Sequence, residues 1–185
     1  GGTALYAGFQ SLTLKRSQRV ICSSAISSMG TGLAESIGAH ASKKFNQIIC
    51  IIGDGSFLMN IQDLQNISSD RMRIKIIVIN NNGYLAIRHT QKEFLSGKLY
   101  GTHPDWSLKM PSIKKLAYGF GIEYISLSDK KNINKICEKV KNSEGPLICE
   151  VNVDEDVTEL FRQAYKDNEN GTFTPLPLSN MQSSV

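Results

Sequence analysis

Two short apolar runs, each broken off at a polar turn, constrain this chain more than any other feature. Gln47–Ile52 (QIICII) is rich in β-branched residues and stops at Gly53-Asp54-Gly55, while Ile74–Asn80 (IKIIVIN) stops at Asn80-Asn81-Asn82-Gly83. Continuous apolar runs of this length, bounded by turn residues, predict strands covered on both faces, as in parallel sheets. Between them, SFLMNIQDLQNI places Phe57, Ile61 and Leu64 on one helical face, with Leu58 beside them and Asp63 and Asn66 elsewhere. If the two strands are parallel neighbours, both turns lie at the same carboxyl edge of the sheet. In an open α/β sheet that edge is where ligands bind.

The turn residues narrow the ligand. Asp54 offers a hard carboxylate between two glycines that let the backbone approach something closely. Asn81 offers an amide oxygen, and the turn at Gly83 a backbone carbonyl. Oxygen donors of this kind suit Mg²⁺ or Ca²⁺, and a Mg²⁺ ion held by so few protein oxygens is completed by phosphates and water at roughly 2.0–2.1 Å. Gly55 and Ser56 begin a helix, whose free N–H groups and positive end suit a phosphate. The residues therefore predict a metal-bridged diphosphate in a strand-edge crevice. The alternative is an Asp capping a helix and an Asn-rich turn, with no ligand.

Gly53-Asp54-Gly55, the 24 residues from 56 to 79, and Asn80-Asn81 together resemble the thiamine-diphosphate (ThDP) motif of ThDP-dependent enzymes. SSMGTGLAESIGAHA ahead of it and INNNGYLAIRHTQ after it are similar to the C-terminal, diphosphate-binding domain of the acetolactate synthase family, and the likeness runs from Gly1 to about Met181. The resemblance implies that Asp54, Asn81 and the Gly83 carbonyl hold Mg²⁺. It implies a cofactor set of Gly2, Thr3, Ser27, Met29, Gly30, Gly53, Gly55, Ser56 and Tyr84 around them, with Gly2 and Thr3 at the diphosphate. Met29 would wedge between the two cofactor rings, and the Ser27 carbonyl would accept the 4′-amino group. From the residues alone, Thr3 serves equally as a plain helix N-cap and Met29 as a flexible core filler.

By the same resemblance, the activity is decarboxylation of a 2-oxo acid such as pyruvate and transfer of the acyl unit to a second carbonyl, as in branched-chain amino acid biosynthesis. The acceptor is open: pyruvate, another 2-oxo acid or a modified sugar. Some relatives with decarboxylase activity carry a catalytic Glu where this chain has Ile87, which favours a carboligase-like site. The activating Glu is expected on another domain, usually of a facing subunit, so no catalytic residue is assigned here. A homodimer or tetramer is implied. FAD, held by some relatives mainly in another domain, is not judged from this one. Arg88 and His89 are read either as substrate contacts or as a solvated pair.

Composition removes other classes. The chain has 185 residues, 41% apolar and 21% charged, ordinary for a globular protein, and is read as one domain (1–178) with a tail (179–185). It opens at Gly1-Gly2 without an initiator Met, and is read as a piece of a longer protein. No apolar run approaches the roughly 20 residues of a membrane helix, and no signal peptide is evident. The net charge of +4 is mild. Lys114, Lys115, Lys130, Lys131, Lys135, Lys139 and Lys141 are scattered over helix faces without interleaved aromatics, a solvated surface and not a nucleic-acid footprint. Cys22, Cys50, Cys137 and Cys149 lack metal spacing and read as buried reduced thiols, which points to the cytoplasm. Gly30-Thr31-Gly32 departs from the dinucleotide fingerprint at Glu35. A dinucleotide-binding domain and a non-catalytic assembly module remain as rivals.

The rest of the chain alternates. Leu5, Phe9 and Leu12 share a helix face, Arg19–Ser24 reads as a strand, and a helix follows to about Lys44. A helix over Pro111–Gly121, the strand IEYISL, a helix with Ile133, Ile136, Cys137 and Val140 inward, and a last buried strand in PLICEVNVDED complete it. Glu150 in that strand points to the sheet end or to a partner. The expected fold is α/β, a doubly wound, mainly parallel sheet of about six strands with helices on both faces. The Pro- and Ser-rich tail ENGTFTPLPLSNMQSSV is expected to be extended. If half of the site lies elsewhere, this chain alone, given pyruvate, ThDP and Mg²⁺, forms no acetolactate; a colorimetric acetolactate assay on the isolated chain checks it.

Overall fold

The two apolar runs pair side by side as parallel strands. A computed structural model describes residues 2–23, 25–155, 161–177, 179 and 182–183. In it β1 (Ile48–Gly53) lies against β2 (Ile74–Asn80), with Ile48 opposite Ile74 and Gly53 opposite Ile79. β2 pairs in turn with β4 (Leu147–Asn152), and β4 with β3 (Glu123–Leu127), all parallel, in the order β1-β2-β4-β3. The expected doubly wound α/β architecture is present, with four strands in this sheet in place of about six. Residues 19–23 form no strand, and Ser24 lies outside the described residues. Val20 and Ile21 in that segment stay exposed. Strand preference is a preference for a covered, pleated surface, and this short apolar run has no such cover.

Alternation along the strands builds two cores. On one face Cys50, Ile52, Ile74, Ile76, Val78 and Ile148 are buried against Leu33 of α2 (Thr31–Ala41), Phe57 of α3 (Asp54–Met59), Leu64 and Ile67 of α4 (Leu64–Ser69), and Ile113 and Ala117 of a later helix, Ile113–Gly119. On the other face Leu147, Cys149 and Ile125 pack against Val140, which belongs to the helix Ile133–Asn142. The segment after β1 is not one continuous helix. It breaks at Asn60 into α3, a 3₁₀ turn (Ile61–Asp63) and α4, which lets Asn60 Nδ2 donate to the Gly30 carbonyl at 2.8 Å. Phe57 and Leu64 still reach one core, with Leu58 and Ile61 half-buried against it.

The structure changes two inward assignments, in the helix Ile133–Asn142 and among the cysteines, and leaves the N-terminal helix without a buried face. In the helix Ile133–Asn142 only Val140 is buried, while Ile133 and Cys137 are exposed, because the helix meets the sheet near its C-terminal end. In the N-terminal helix α1 (Thr3–Ser11) no residue is buried, and Phe9 is exposed. All four cysteines are free thiols, but the buried reading holds for Cys50 and Cys149 alone. Burial pushes their pKa values up to about 12 and about 11, so both are inert. Lys75, by contrast, is fully buried, its Nζ donating to the carbonyls of Ser143 (2.8 Å) and Gly145 just past the helix Ile133–Asn142. The negative end of that helix offsets part of the charge, and burial draws the ammonium pKa down.

The chain divides into two compact units, Gly1–Glu155 and Asp156–Val185. The second contains two antiparallel pairs, Phe161–Arg162 with Gln182–Ser183 and Tyr165–Asp167 with Phe173–Pro175, so part of the expected extended tail is a hairpin. Residues 178, 180, 181, 184 and 185 lie outside the described residues. The sheet itself rests on the central contact of Cys50, Ile76 and Ile148 across three strands. Ile76→Ala is expected to lower the unfolding free energy by about 2–5 kcal/mol, read from urea denaturation.

Candidate functional site

Gly53 ends β1 and is the N-cap of α3, and Asp54 is the first residue of that helix. Asp54 is therefore not a capping residue. Its side chain is 2% exposed and joins the two carboxyl-edge turns. Oδ1 accepts the Gly55 N–H at 2.8 Å, and Oδ2 accepts the Gly83 N–H, 29 residues on, also at 2.8 Å. Burial pushes its pKa up, opposed by the Gly83 and Gly55 N–H groups and by the charge of Arg88. The Gly55 N–H, expected to be free for a phosphate, is thus engaged. Gly55 has a different necessity: a Cβ there would sit 2.4 Å from the Tyr84 ring.

The second turn is held from several sides. Asn82 takes a left-handed conformation (φ 58°), which Asn tolerates, and Gly83 follows at φ 131°. A Cβ on Gly83 would lie 2.4 Å from Leu108 Cδ2 and 3.1 Å from the Thr102 carbonyl. Asn80 Oδ1 accepts the Asn82 N–H at 2.9 Å, an Asx turn, and the Asn80 carbonyl accepts the Val153 N–H at 3.0 Å. Asn82 Nδ2 donates to Glu155 Oε1 at 2.7 Å. Glu150, expected to point to the sheet end or to a partner, is bonded within the chain: Oε1 accepts Asn80 Nδ2 at 2.6 Å, and Oε2 accepts the Tyr124 hydroxyl. Burial and the Glu150 carboxylate push the Tyr124 pKa up to about 12.

Arg88 departs from both readings of the sequence. It is fully buried in α5 (Leu85–Phe94), on one face with Leu85 and Gln91. Nη1 donates to the carbonyls of Thr102 (2.8 Å) and Asn82 (3.3 Å), and Nη2 to those of Asn81 and Glu155 (both 2.8 Å). It is neither a solvated cation nor a group turned to substrate. The three-residue spacing of Leu85, Arg88 and Gln91 is the signal that placed it inward. His89 is half-buried and lies outside the cleft.

One cleft collects Gly2, Thr3, Met29, Gly53, Asp54, Gly55, Ser56, Asn81, Gly83 and Tyr84, with Ala4, Leu85, Ala86 and Ile87 completing its wall. Ten of the twelve expected site residues thus converge, although they come from four separate stretches of chain. Ser27 and Gly30 do not line it: Gly30 caps α2, and Ser27 sits before it at φ 52°. Gly32 also lies elsewhere, where an added Cβ would sit 3.1 Å from Ile52 Cδ1, so the Gly30–Gly32 turn is not a phosphate loop of this cleft. Two oxygens in the cleft wall, Thr3 Oγ1 and Asn81 Oδ1, are buried without a hydrogen-bond partner. Thr3 is the residue after the N-cap, Gly2, and its hydroxyl makes no cap bond. An unsatisfied buried oxygen costs about 1–3 kcal/mol, so two on one cleft indicate groups left open for a ligand.

The donors are hard oxygens around a single carboxylate. Among the described residues no three His, Cys, Asp or Glu side chains form a metal cluster. A cation here would need phosphate and water oxygens to complete its shell, which is the chemistry of Mg²⁺ on a diphosphate. Ile87, 45% exposed at the cleft, contributes no acid.

Comparison with known proteins agrees with this geometry. Residues 1–151 match the family described as thiamine pyrophosphate enzyme, C-terminal TPP binding domain. The acetolactate synthase large subunit of Porphyra purpurea is 32% identical over 140 residues, 76% of this chain and 23% of that protein. The acetolactate synthase isozyme 2 large subunit of Escherichia coli (strain K12) is 29% identical over 150 residues, 79% of this chain and 26% of that protein. In a solved structure, the Rhodococcus jostii RHA1 thiamine diphosphate-dependent 4-hydroxybenzoylformate decarboxylase superposes with a TM-score of 0.58 at 27% identity, covering 69% of this chain and 24% of that one. The chain spans about a quarter of the length of these relatives. With residues 1–151 matching that family, the chain belongs to the thiamine pyrophosphate enzymes, as a C-terminal TPP-binding domain.

Proposed function

We propose that this chain is the diphosphate-holding part of an acetolactate-synthase-like enzyme that decarboxylates a pyruvate-like 2-oxo acid and transfers the acyl unit to a second carbonyl. The observation that carries the reading is the pair of partnerless oxygens, Thr3 Oγ1 and Asn81 Oδ1, in the cleft that also holds Asp54. Asp54, Asn81 Oδ1 and the Gly83 carbonyl would hold Mg²⁺, and the Thr3 hydroxyl with the Ser56 N–H at the start of α3 would hold the diphosphate. Thiamine diphosphate, when bound, supplies the electron sink for cleavage beside a carbonyl.

The chain's own residues then bind and orient. Met29 forms one wall of the cleft and Tyr84 covers Gly55, so the site has an apolar side above its polar floor. Ile87 places a hydrocarbon side chain where an acid would otherwise deliver a proton, which favours capture of the acyl unit by a second carbonyl over its release as an aldehyde. The activating Glu comes from a domain outside this chain, which makes a homodimer or tetramer part of the proposal. A modified sugar or another 2-oxo acid as acceptor fits the same chemistry. No helix among the described residues is long and apolar enough to cross a membrane, and the cytoplasm is the proposed location.

Calorimetric titration tests the cofactor. ThDP is expected to bind the intact protein with Mg²⁺ and not with EDTA, and NAD not at all; NAD uptake without metal overturns the reading. Asp54→Ala is expected to weaken Mg²⁺-dependent binding roughly 100-fold, about the worth of one charged contact. Because Asp54 is buried on two N–H groups and not simply at a surface turn, its removal is also expected to shift stability by about 1–3 kcal/mol, offset in part by relief of a buried charge. Unchanged ThDP affinity in that variant removes Asp54 from the metal site.

A further inference from the structure

We propose that Arg88 is a positioning residue of the metal site: its guanidinium pins the two peptide planes of the Asn81–Gly83 turn and so presents Asn81 Oδ1 to the cleft. The proposal rests on the cofactor reading above and adds a residue that touches neither metal nor cofactor.

The turn contains two successive peptide planes that could each flip, exchanging a carbonyl for an N–H. Each is held at both ends. In the Asn81–Asn82 plane the carbonyl accepts from Arg88 Nη2 at 2.8 Å and the N–H donates to Asn80 Oδ1 at 2.9 Å. In the Asn82–Gly83 plane the carbonyl accepts from Arg88 Nη1 at 3.3 Å and the N–H donates to Asp54 Oδ2 at 2.8 Å. A flip of either plane would aim an N–H at a buried cation and leave an acceptor empty. The second plane thus spans from the Arg88 cation to the Asp54 anion, the carboxylate expected on the metal. With both planes fixed, the left-handed Asn82 is the conformation left to the turn, and Asn81 Oδ1 stays buried at the cleft without a protein partner.

Only a guanidinium does this. One planar fork reaches four carbonyls, the other two being Thr102 and Glu155 at 2.8 Å, which anchor the cation to the loop after α5 and to the chain after β4. A lysine carries its three N–H groups on a single nitrogen, as Lys75 does for two carbonyls, and cannot reproduce a fork whose two nitrogens hold four. A buried charge gives little net stability compared with an apolar side chain of similar volume, so stability alone does not call for an arginine here. The geometry of the turn does.

Arg88→Lys and Arg88→Met in the intact protein test this by two readouts. The first, without ligand, is amide hydrogen exchange: in Arg88→Lys, exchange at Asn82 and Gly83 is expected to quicken about tenfold or more, while Ile76–Val78 within β2 keep their protection. The second is the ThDP titration, in which both variants are expected to need about 10–100-fold more Mg²⁺, the usual effect of losing a group that orients a metal ligand. A folded Arg88→Lys with wild-type exchange at the turn and wild-type Mg²⁺ dependence overturns the proposal. So does an equal loss of protection across β2 in both variants, which would make Arg88 a plain structural residue. A wild-type protein that takes up no ThDP overturns the cofactor reading instead, and the exchange measurement still decides whether Arg88 fixes the turn.

Discussion

A single buried carboxylate ties together the ends of two strands. Asp54 accepts one N–H from its own turn and one from the turn after β2, and so converts two adjacent loop ends into one rigid edge. That contact exists because β1 and β2 are parallel and in register, Gly53 lying opposite Ile79. A slip of one residue would turn every side chain of a strand to the other face and carry Asp54 away from Gly83. The apolar faces of the sheet hold the register, and the register holds the site. The carboxylate is in turn costly to bury, which the two N–H groups and the Arg88 charge offset.

Behind this edge lies a layer of polar groups that no ligand is expected to touch. Arg88 satisfies carbonyls from α5's own entry turn, from the loop at Thr102 and from Glu155. Glu150, on the same sheet face as Ile148, joins Tyr124 on one side to Asn80 on the other. Buried carbonyls and carboxylates must find donors: here the carbonyls find the Arg88 guanidinium, and the Glu150 carboxylate finds Asn80 Nδ2 and the Tyr124 hydroxyl. The result is a turn whose Asn81 and Asn82 carbonyls and Asn82 and Gly83 N–H groups are committed to the protein, while Asn81 Oδ1 and Thr3 Oγ1 are left open. Pre-organisation of this kind keeps a metal ligand in place before the metal arrives.

The outer side of β1 is built differently. Ile49 and Ile51 are more than half exposed, and α1, which carries Thr3, buries none of its residues. Residues 19–23 run past without pairing as a strand. The site is therefore firm where it is backed by β2, β4 and α5, and lightly supported where Gly2 and Thr3 enter it.

The amino-acid sequence by itself determined the strands β1 and β2, the parallel α/β class, and the placing of Asp54 and Asn81 in the two strand-edge turns. These follow from local information: an apolar run, a glycine-flanked carboxylate, an Asn-rich turn. Only the tertiary structure decided how many strands the sheet has, that Cys137 and Ile133 face outward, that the Gly55 N–H is already used, and that Arg88 is a buried clamp and not a solvated cation. Each of those depends on what lies opposite in space. The partners of Arg88 are 6 to 67 residues away, and those of Glu150 are 26 and 70 away. Spacing along a helix can show that Arg88 faces inward. Which carbonyls wait for it there is set by the packing of the loop at Thr102 and the end of β4, and no local pattern carries that information.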